Sequence, residues 1–103
     1  MGRMTGVRIF VYEELEKVPE GQVVTVPQLA DQADVPGARN AIRRILRDSE
    51  SLDYSYWRVV EENGNLLEQT AGGGSDHQEQ KLSEEGIEVS DGQVDLDAVQ
   101  YHS

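Results

Sequence analysis

Residues 36 to 47 read PGARNAIRRILR, and this segment constrains the fold more than any other. Stepping ~100° per residue, Ala38, Ala41, Ile42, Ile45 and Leu46 fall on one arc of a helix. Arg39, Asn40, Arg43, Arg44 and Arg47 fall on the opposite arc, so one face is apolar and the other basic. Upstream, Thr25-Val26-Pro27-Gln28 has the chemistry of a helix start. Thr25 caps free amides, Gln28 holds the capping-box position, and Pro27 suits a first turn. Leu29, Ala30 and Ala33 face inward, and Asp34-Val35-Pro36-Gly37 ends that helix in a turn. A helix, a tight turn with glycine and a second helix with a basic exposed face make a helix-turn-helix pattern.

The flanking segments add to that pair. Val7, Phe10, Val11, Leu15 and Val18 follow the spacing of one buried stripe, predicting a helix over residues 5 to 17 stopped by Pro19-Glu20-Gly21. Tyr56 to Glu61 and Leu66 to Thr70 read as strands, with Asn63-Gly64 a hairpin signal between them. A hairpin after a helix-turn-helix is a wing, so the expected fold is mainly α with a small β-hairpin, a winged helix-turn-helix domain. Strand alternation turns Trp57 to the core and Tyr56 outward. Ala71-Gly72-Gly73-Gly74 is a flexible link, Ser75 caps a helix running to Glu85 with Gln78 three residues on, and Gly86 closes it. The domain is expected over residues 1–90. Residues 91–103 form an acidic tail, open to reading as an edge strand, a short helix or a frayed end.

The 103 residues fit one small domain. The chain has no cysteine, which removes disulfides, thiolate metal sites and a thiol nucleophile. His77 and His102 lie far apart, so neither metal nor cofactor is expected. No apolar run approaches the ~18 residues that cross a bilayer, and the N-terminus has no signal-peptide pattern. A cytoplasmic monomer without membrane contact is the expectation. Asp and Glu total 20 against two lysines, and the net charge is −11. That balance fits plain solubility, and it also fits halophilic adaptation to a salty cytoplasm. Residues 36 to 47 carry +4, leaving −15 on the rest. A basic island on an acidic chain has two readings: a nucleic-acid contact, or pairing with the chain's own carboxylates.

The order of these elements, with VYEELEKVPEGQVVTVPQLA, PGARNAIRRIL, YWRVVEENGN, the glycine run and QKLSEEGIEV, resembles the DNA-binding, active-site domain of O6-alkylguanine-DNA alkyltransferases. It resembles more closely their non-enzymatic relatives, the alkyltransferase-like proteins. The likeness covers roughly residues 7 to 90. It implies that a target nucleotide is flipped into a pocket beside the active-site motif, while the second helix of the pair enters the minor groove. Alkyltransferases carry Pro-Cys-His-Arg-Val at that motif. Here Tyr56 falls on the cysteine, or Trp57 with the gap one residue later, and Arg58 falls on the arginine. Gly73 and Gly74 match the glycine pair lining the pocket, with Gly72 beside them, and Glu85 matches the family's glutamate. The finger arginine of the second helix falls on Asn40, with Arg39 one residue before. Two family tyrosines fall on Val26 and Ala71.

The resemblance thus implies a lesion pocket of Tyr56, Trp57, Arg58, Gly72, Gly73, Gly74 and Glu85. It implies DNA contacts from Thr25, Arg39, Asn40, Arg43, Arg44 and Arg47. The partner would be double-stranded DNA with alkylated guanine, together with other DNA-repair proteins. With no thiol, no Ser-His-Asp set and no clustered carboxylates in an apolar setting, an enzyme is not expected. The alternative is a degenerate winged-helix module that binds DNA without lesion preference, or binds a protein.

Overall fold

A computed structural model describes residues 3–102, and the side chains of residues 6–102. Five helices and four two-residue strands follow in the order α1 (Arg3–Lys17), β1 (Val24–Thr25), α2 (Val26–Ala33), α3 (Ala38–Arg47), β2 (Val59–Val60), β3 (Gln69–Thr70), β4 (Gly73–Gly74), α4 (Ser75–Glu84) and α5 (Leu96–Val99). Two 3-10 turns, Ser49–Asp53 and Tyr56–Arg58, join α3 to β2.

The helix-turn-helix forms as the sequence dictates. Thr25 Oγ1 accepts the Gln28 N–H while Gln28 Oε1 accepts the Thr25 N–H, completing the capping box of α2. Asp34 ends α2 in the left-handed region at φ 53°, and Gly37 at φ 73° starts α3. Ala38, Ile42, Ile45 and Leu46 of α3 are buried against Val7, Val11 and Leu15 of α1 and Leu29 of α2. Burying such a side chain stabilises by about 1.5–3 kcal/mol, so the apolar stripe fixes which face of α3 looks outward.

The sheets depart from expectation. Tyr56 to Arg58 is a 3-10 turn rather than the start of a strand. β2 pairs in parallel with β1, Val24 opposite Val59 and Thr25 opposite Val60, instead of returning through Asn63-Gly64. That turn does form: Glu61 N–H donates to Asn65 O and Gly64 N–H to Glu61 O. It does not extend into a ladder because Leu66 N–H is taken by Gly92 O and Leu67 N–H by Gln78 Oε1. The antiparallel hairpin lies further on, β3 with β4, Thr70 opposite Gly73.

Ser75 does not cap α4. The cap position is Gly74, without a side-chain bond, and Gln78 turns inward. Gln78 is fully buried; its Nε2 donates to Trp57 O and Val59 O. Gly86 at φ 84° closes the helix, with Gly86 N–H on Ser83 O and Ile87 N–H on Leu82 O. These are the paired bonds of a glycine C-cap.

The acidic tail packs back on the molecule. Val94 joins a second buried cluster with Val23, Val60, Leu66, Leu82 and Ile87. Val23 N–H donates to Val99 O and Tyr101 N–H to Val23 O. No helix among the described residues is long and apolar enough to cross a membrane.

Candidate nucleic-acid interface

The outward face of α3 carries Arg39, Asn40, Arg44 and Arg47, all exposed, with Arg43 half-buried among them. Two of these arginines meet the chain's own acids. Arg43 Nε donates to Glu61 Oε2 at 3.0 Å and its NH2 to Glu61 Oε1 at 2.8 Å, a fork on a carboxylate. Its NH1 donates to Asn40 Oδ1 at 3.1 Å. The hydrogen bond to Glu61 outweighs burial and raises the Arg43 pKa further above its already high value. Arg39 lies 4.0 Å from Glu62, both well exposed, a separation at which water competes. Arg44 and Arg47 form no ion pair with a described residue. Of the two readings of the basic island, pairing accounts for Arg43, and open cationic surface accounts for Arg44 and Arg47. Thr25 sits elsewhere: it is buried, and its hydroxyl is turned into the α2 cap.

Two hollows run beside this face. One of about 400 Å³ is lined by Arg47 and by Leu66 to Gln69. Another of about 330 Å³ is lined by Pro27, Arg39, Glu62 and Asn63. Arg43, Glu61 and Asn65 line both, so the ion pair stands as a partition between them.

The aromatic motif exchanges the expected roles of its members. Tyr56, not Trp57, is the core residue, 4% exposed. A 3-10 turn advances side chains by roughly a third of a circle, so strand alternation does not apply. The Tyr56 hydroxyl and His77 Nε2 are 2.6 Å apart, and the two rings lie nearly parallel. Burial pushes the phenol pKa up, so the hydroxyl keeps its proton. The glycine run descends on this pair: a Cβ on Gly72 would collide with the Tyr56 hydroxyl and His77 Nε2, and one on Gly73 would meet His77 Cβ at 2.9 Å. Tyr56, His77, Gly72 and Gly73 therefore form one contiguous patch, closed by its own side chains. Gly74 lies in β4, beside Glu68 O.

Trp57 is half-buried and straddles both core clusters. Lys81 Nζ lies 4.4 Å from its ring centroid, and Trp57 Nε1 donates to Glu85 Oε2 at 2.7 Å. Arg58 and Glu85 lie beyond it as a largely buried pair, with side chains 13% and 8% exposed. Arg58 Nε reaches both Glu85 oxygens at 3.0 Å, its NH2 reaches Oε2 at 2.7 Å, and its NH1 donates to Val18 O. Gly21 N–H adds a further bond to Glu85 Oε1. Burial alone would raise the Glu85 pKa, but the bonds from Arg58, Gly21 and Trp57 together hold it below the usual carboxylate range. These two residues staple the motif to the loop after α1 and to the end of α4. Tyr54 stacks on Tyr12 at 3.9 Å between centroids, and Tyr12, Ser51 and Arg8 tie α1 to the end of α3.

Residues 7–87 match the family described as 6-O-methylguanine DNA methyltransferase, DNA binding domain. The chain belongs to that family. A bifunctional methyltransferase/endonuclease of Picrophilus torridus is 29% identical over 98 residues, which are 91% of this chain but only 31% of that protein. The chain thus spans about a third of that relative's length. A DNA base-flipping protein of Vibrio parahaemolyticus is 32% identical over 82 residues, 79% of this chain and 80% of that one. The fold is that of S. pombe Atl1 in complex with damaged DNA containing O6-carboxymethylguanine, with TM-score 0.81, 20% identity and coverage of 96% and 97%. A complex of S. pombe ATL with DNA gives TM-score 0.75 at 21% identity, covering 97% and 94%. The chain contains no cysteine.

His77, Glu61 and Gln78 were not singled out as site residues by sequence reasoning. His77 carried no local signal, since its partner Tyr56 is 21 residues away. Glu61 carried a weak one, an acid just before the Asn63-Gly64 turn and facing no basic residue in its own segment.

Proposed function

We propose that this chain is a non-enzymatic DNA-binding protein that recognises O6-alkylguanine in duplex DNA by base flipping and flags it for other repair proteins. The observation that carries the reading is the open basic face of α3 within a helix-turn-helix of this family, in a chain without a thiol. Arg44 and Arg47, with the loosely paired Arg39, supply phosphate contacts, and Asn40 at the first turn of α3 reaches towards the base stack. The extruded base would lie against Tyr56 and the Gly72–Gly74 loop. Base-aromatic stacking contributes about 1–3 kcal/mol. The phenol cannot replace a thiolate as alkyl acceptor, since burial holds it protonated.

Entry of a base requires the His77 side chain and the glycine run to move off Tyr56. That closed contact also favours the second reading, a module that binds duplex DNA without lesion preference. The experiment is a titration of plain and O6-methylguanine duplexes, with mass spectrometry of both partners afterwards. Tighter binding of the lesion duplex with both masses unchanged supports the first reading. Equal affinities leave the second, and an alkylated protein removes the non-enzymatic assignment.

A further inference from the structure

We propose that Glu61 is a positioning residue for the duplex-facing turn of α3: through Arg43 it turns the Asn40 side chain so that its amide nitrogen faces outward. The inference rests on the DNA-binding reading above for what Asn40 touches, and it deepens that reading.

Glu61 follows directly on β2, whose Val59 and Val60 are fully buried, and its N–H is held by Asn65 O. Its carboxylate is therefore presented from a fixed backbone. Arg43 meets it with two parallel bonds, which set the plane of the guanidinium as well as its position. The remaining NH1 group then points one turn back along α3, to Asn40. A guanidinium has donors only, so the Asn40 atom facing it must be the carbonyl oxygen. The opposite end of that amide, exposed at the start of α3, is then the NH2 group with two donors.

That orientation matters chemically. In the minor groove, which the family resemblance implies α3 enters, every base pair presents an acceptor, adenine N3 or thymine O2 among them, and a donor only at guanine N2. An outward NH2 pairs with those acceptors, whereas an outward carbonyl faces them with repulsion. Glu61 thus sets the sign of the contact that Asn40 can make. It also neutralises Arg43, which removes one cation from the phosphate-binding set.

The test compares the parent with Glu61→Gln, Arg43→Lys, Asn40→Ala and the double variant Glu61→Gln/Asn40→Ala, each shown to fold by circular dichroism. Binding to plain and O6-methylguanine duplexes is measured over a range of salt. Glu61→Gln is expected to steepen the slope of log K against log[salt] by about 0.9, the increment for one more phosphate contact. Because Asn40 is read as reaching into the stack where the extruded base leaves it, its contact belongs to the flipped complex. The lesion-to-plain affinity ratio should therefore fall roughly three- to tenfold, the worth of one hydrogen bond. On the Asn40→Ala background the same change should leave the ratio where it is. Arg43→Lys, which keeps the charge but lacks the planar fork that grips the carboxylate and so aims a third donor at Asn40, should lower the ratio alike. It carries the test if Glu61→Gln fails to fold. An unchanged slope, or a Glu61 effect equal with and without Asn40, overturns the proposal. A parent with equal affinity for the two duplexes refutes lesion recognition alone; the coupling of Glu61 with Asn40 in plain-duplex affinity then decides the positioning role. A parent that binds neither duplex overturns both.

Discussion

Replacing Glu85 with glutamine should be strongly destabilising although it preserves the side-chain shape. Glu85 accepts from Arg58, the Trp57 indole and the Gly21 amide, and its side chain is 8% exposed. Glutamine keeps the shape but turns an NH2 group towards those donors and leaves the Arg58 guanidinium without its counter-charge. Removing one partner of a buried ion pair costs about 3–5 kcal/mol. A domain of this size loses about 4–8 °C per kcal/mol, so even the lower figure predicts a melting point reduced by roughly 12–24 °C. Total stability is commonly only about 5–15 kcal/mol, so the variant would be close to unfolding at physiological temperature. The pH dependence has a definite sign. The folded-state Glu85 pKa lies below its unfolded value. Its contribution is therefore complete above the unfolded value of about 4.3 and is lost as pH falls through the folded value. Denaturant titrations of parent and Glu85→Gln at neutral pH and at several values down to about pH 3 should show a gap that closes on acidification. A neutral-pH gap under about 1 kcal/mol, the size of an exposed pair, or a gap independent of pH, would refute this account.

Three further changes separate structural from DNA-contacting roles. Tyr56→Phe removes only the hydroxyl facing His77 and should cost about 0.5–1.5 kcal/mol by thermal melting; an unchanged melting point would mean that the contact contributes nothing. Thr25→Ala should cost about 1 kcal/mol through loss of the α2 cap. Its duplex affinity in excess parent-like folded protein should stay at the parent value, whereas a weakened complex with an unchanged melting point would place the hydroxyl at the DNA. Deleting residues 92–103 strips Val94 from the second cluster and the tail bonds from Val23. Burial of Val94 alone is worth about 1.5–3 kcal/mol, so a melting point equal to that of the full chain would show that the tail contributes no stability.

What the sequence disclosed, and what it withheld, divides along the range of the interactions involved. The capping box of α2, the left-handed turn at Gly37 and the split between the buried and basic faces of α3 are all set within four residues of chain. Each was readable from spacing alone. The departures are long-range. Tyr56 to Arg58 has strand-forming residues, yet Gln78, 19 to 21 residues away, bonds to Trp57 O and Val59 O and holds the segment in a turn. Leu66 and Leu67 alternate poorly as a strand partner because the tail and α4 claim their amides. The pairing of Arg43 with Glu61 spans 18 residues, and nothing in the basic segment itself distinguishes Arg43 from Arg44. In the candidate site, the family motif located Tyr56, Trp57, Arg58 and Glu85 in the chain. Which of them is buried, bonded or exposed depends on partners from other elements: His77 for Tyr56, Lys81 and Glu85 for Trp57, and Val18 and Gly21 for the Arg58–Glu85 pair.

The arrangement has a consequence for binding strength. On the outward face of α3, Arg44 and Arg47, with Arg39 in part, offer free positive charge, on a chain whose net charge is −11. Each phosphate neutralised adds about −0.9 to the salt slope on duplex DNA. A shallow salt dependence is therefore expected.

The most direct measurement is the ratio of dissociation constants for one duplex with and without a single O6-methylguanine, followed across salt concentration. The account predicts tighter binding of the damaged duplex at every salt level, with the methyl group still on the DNA afterwards. Identical constants for the two duplexes would contradict it.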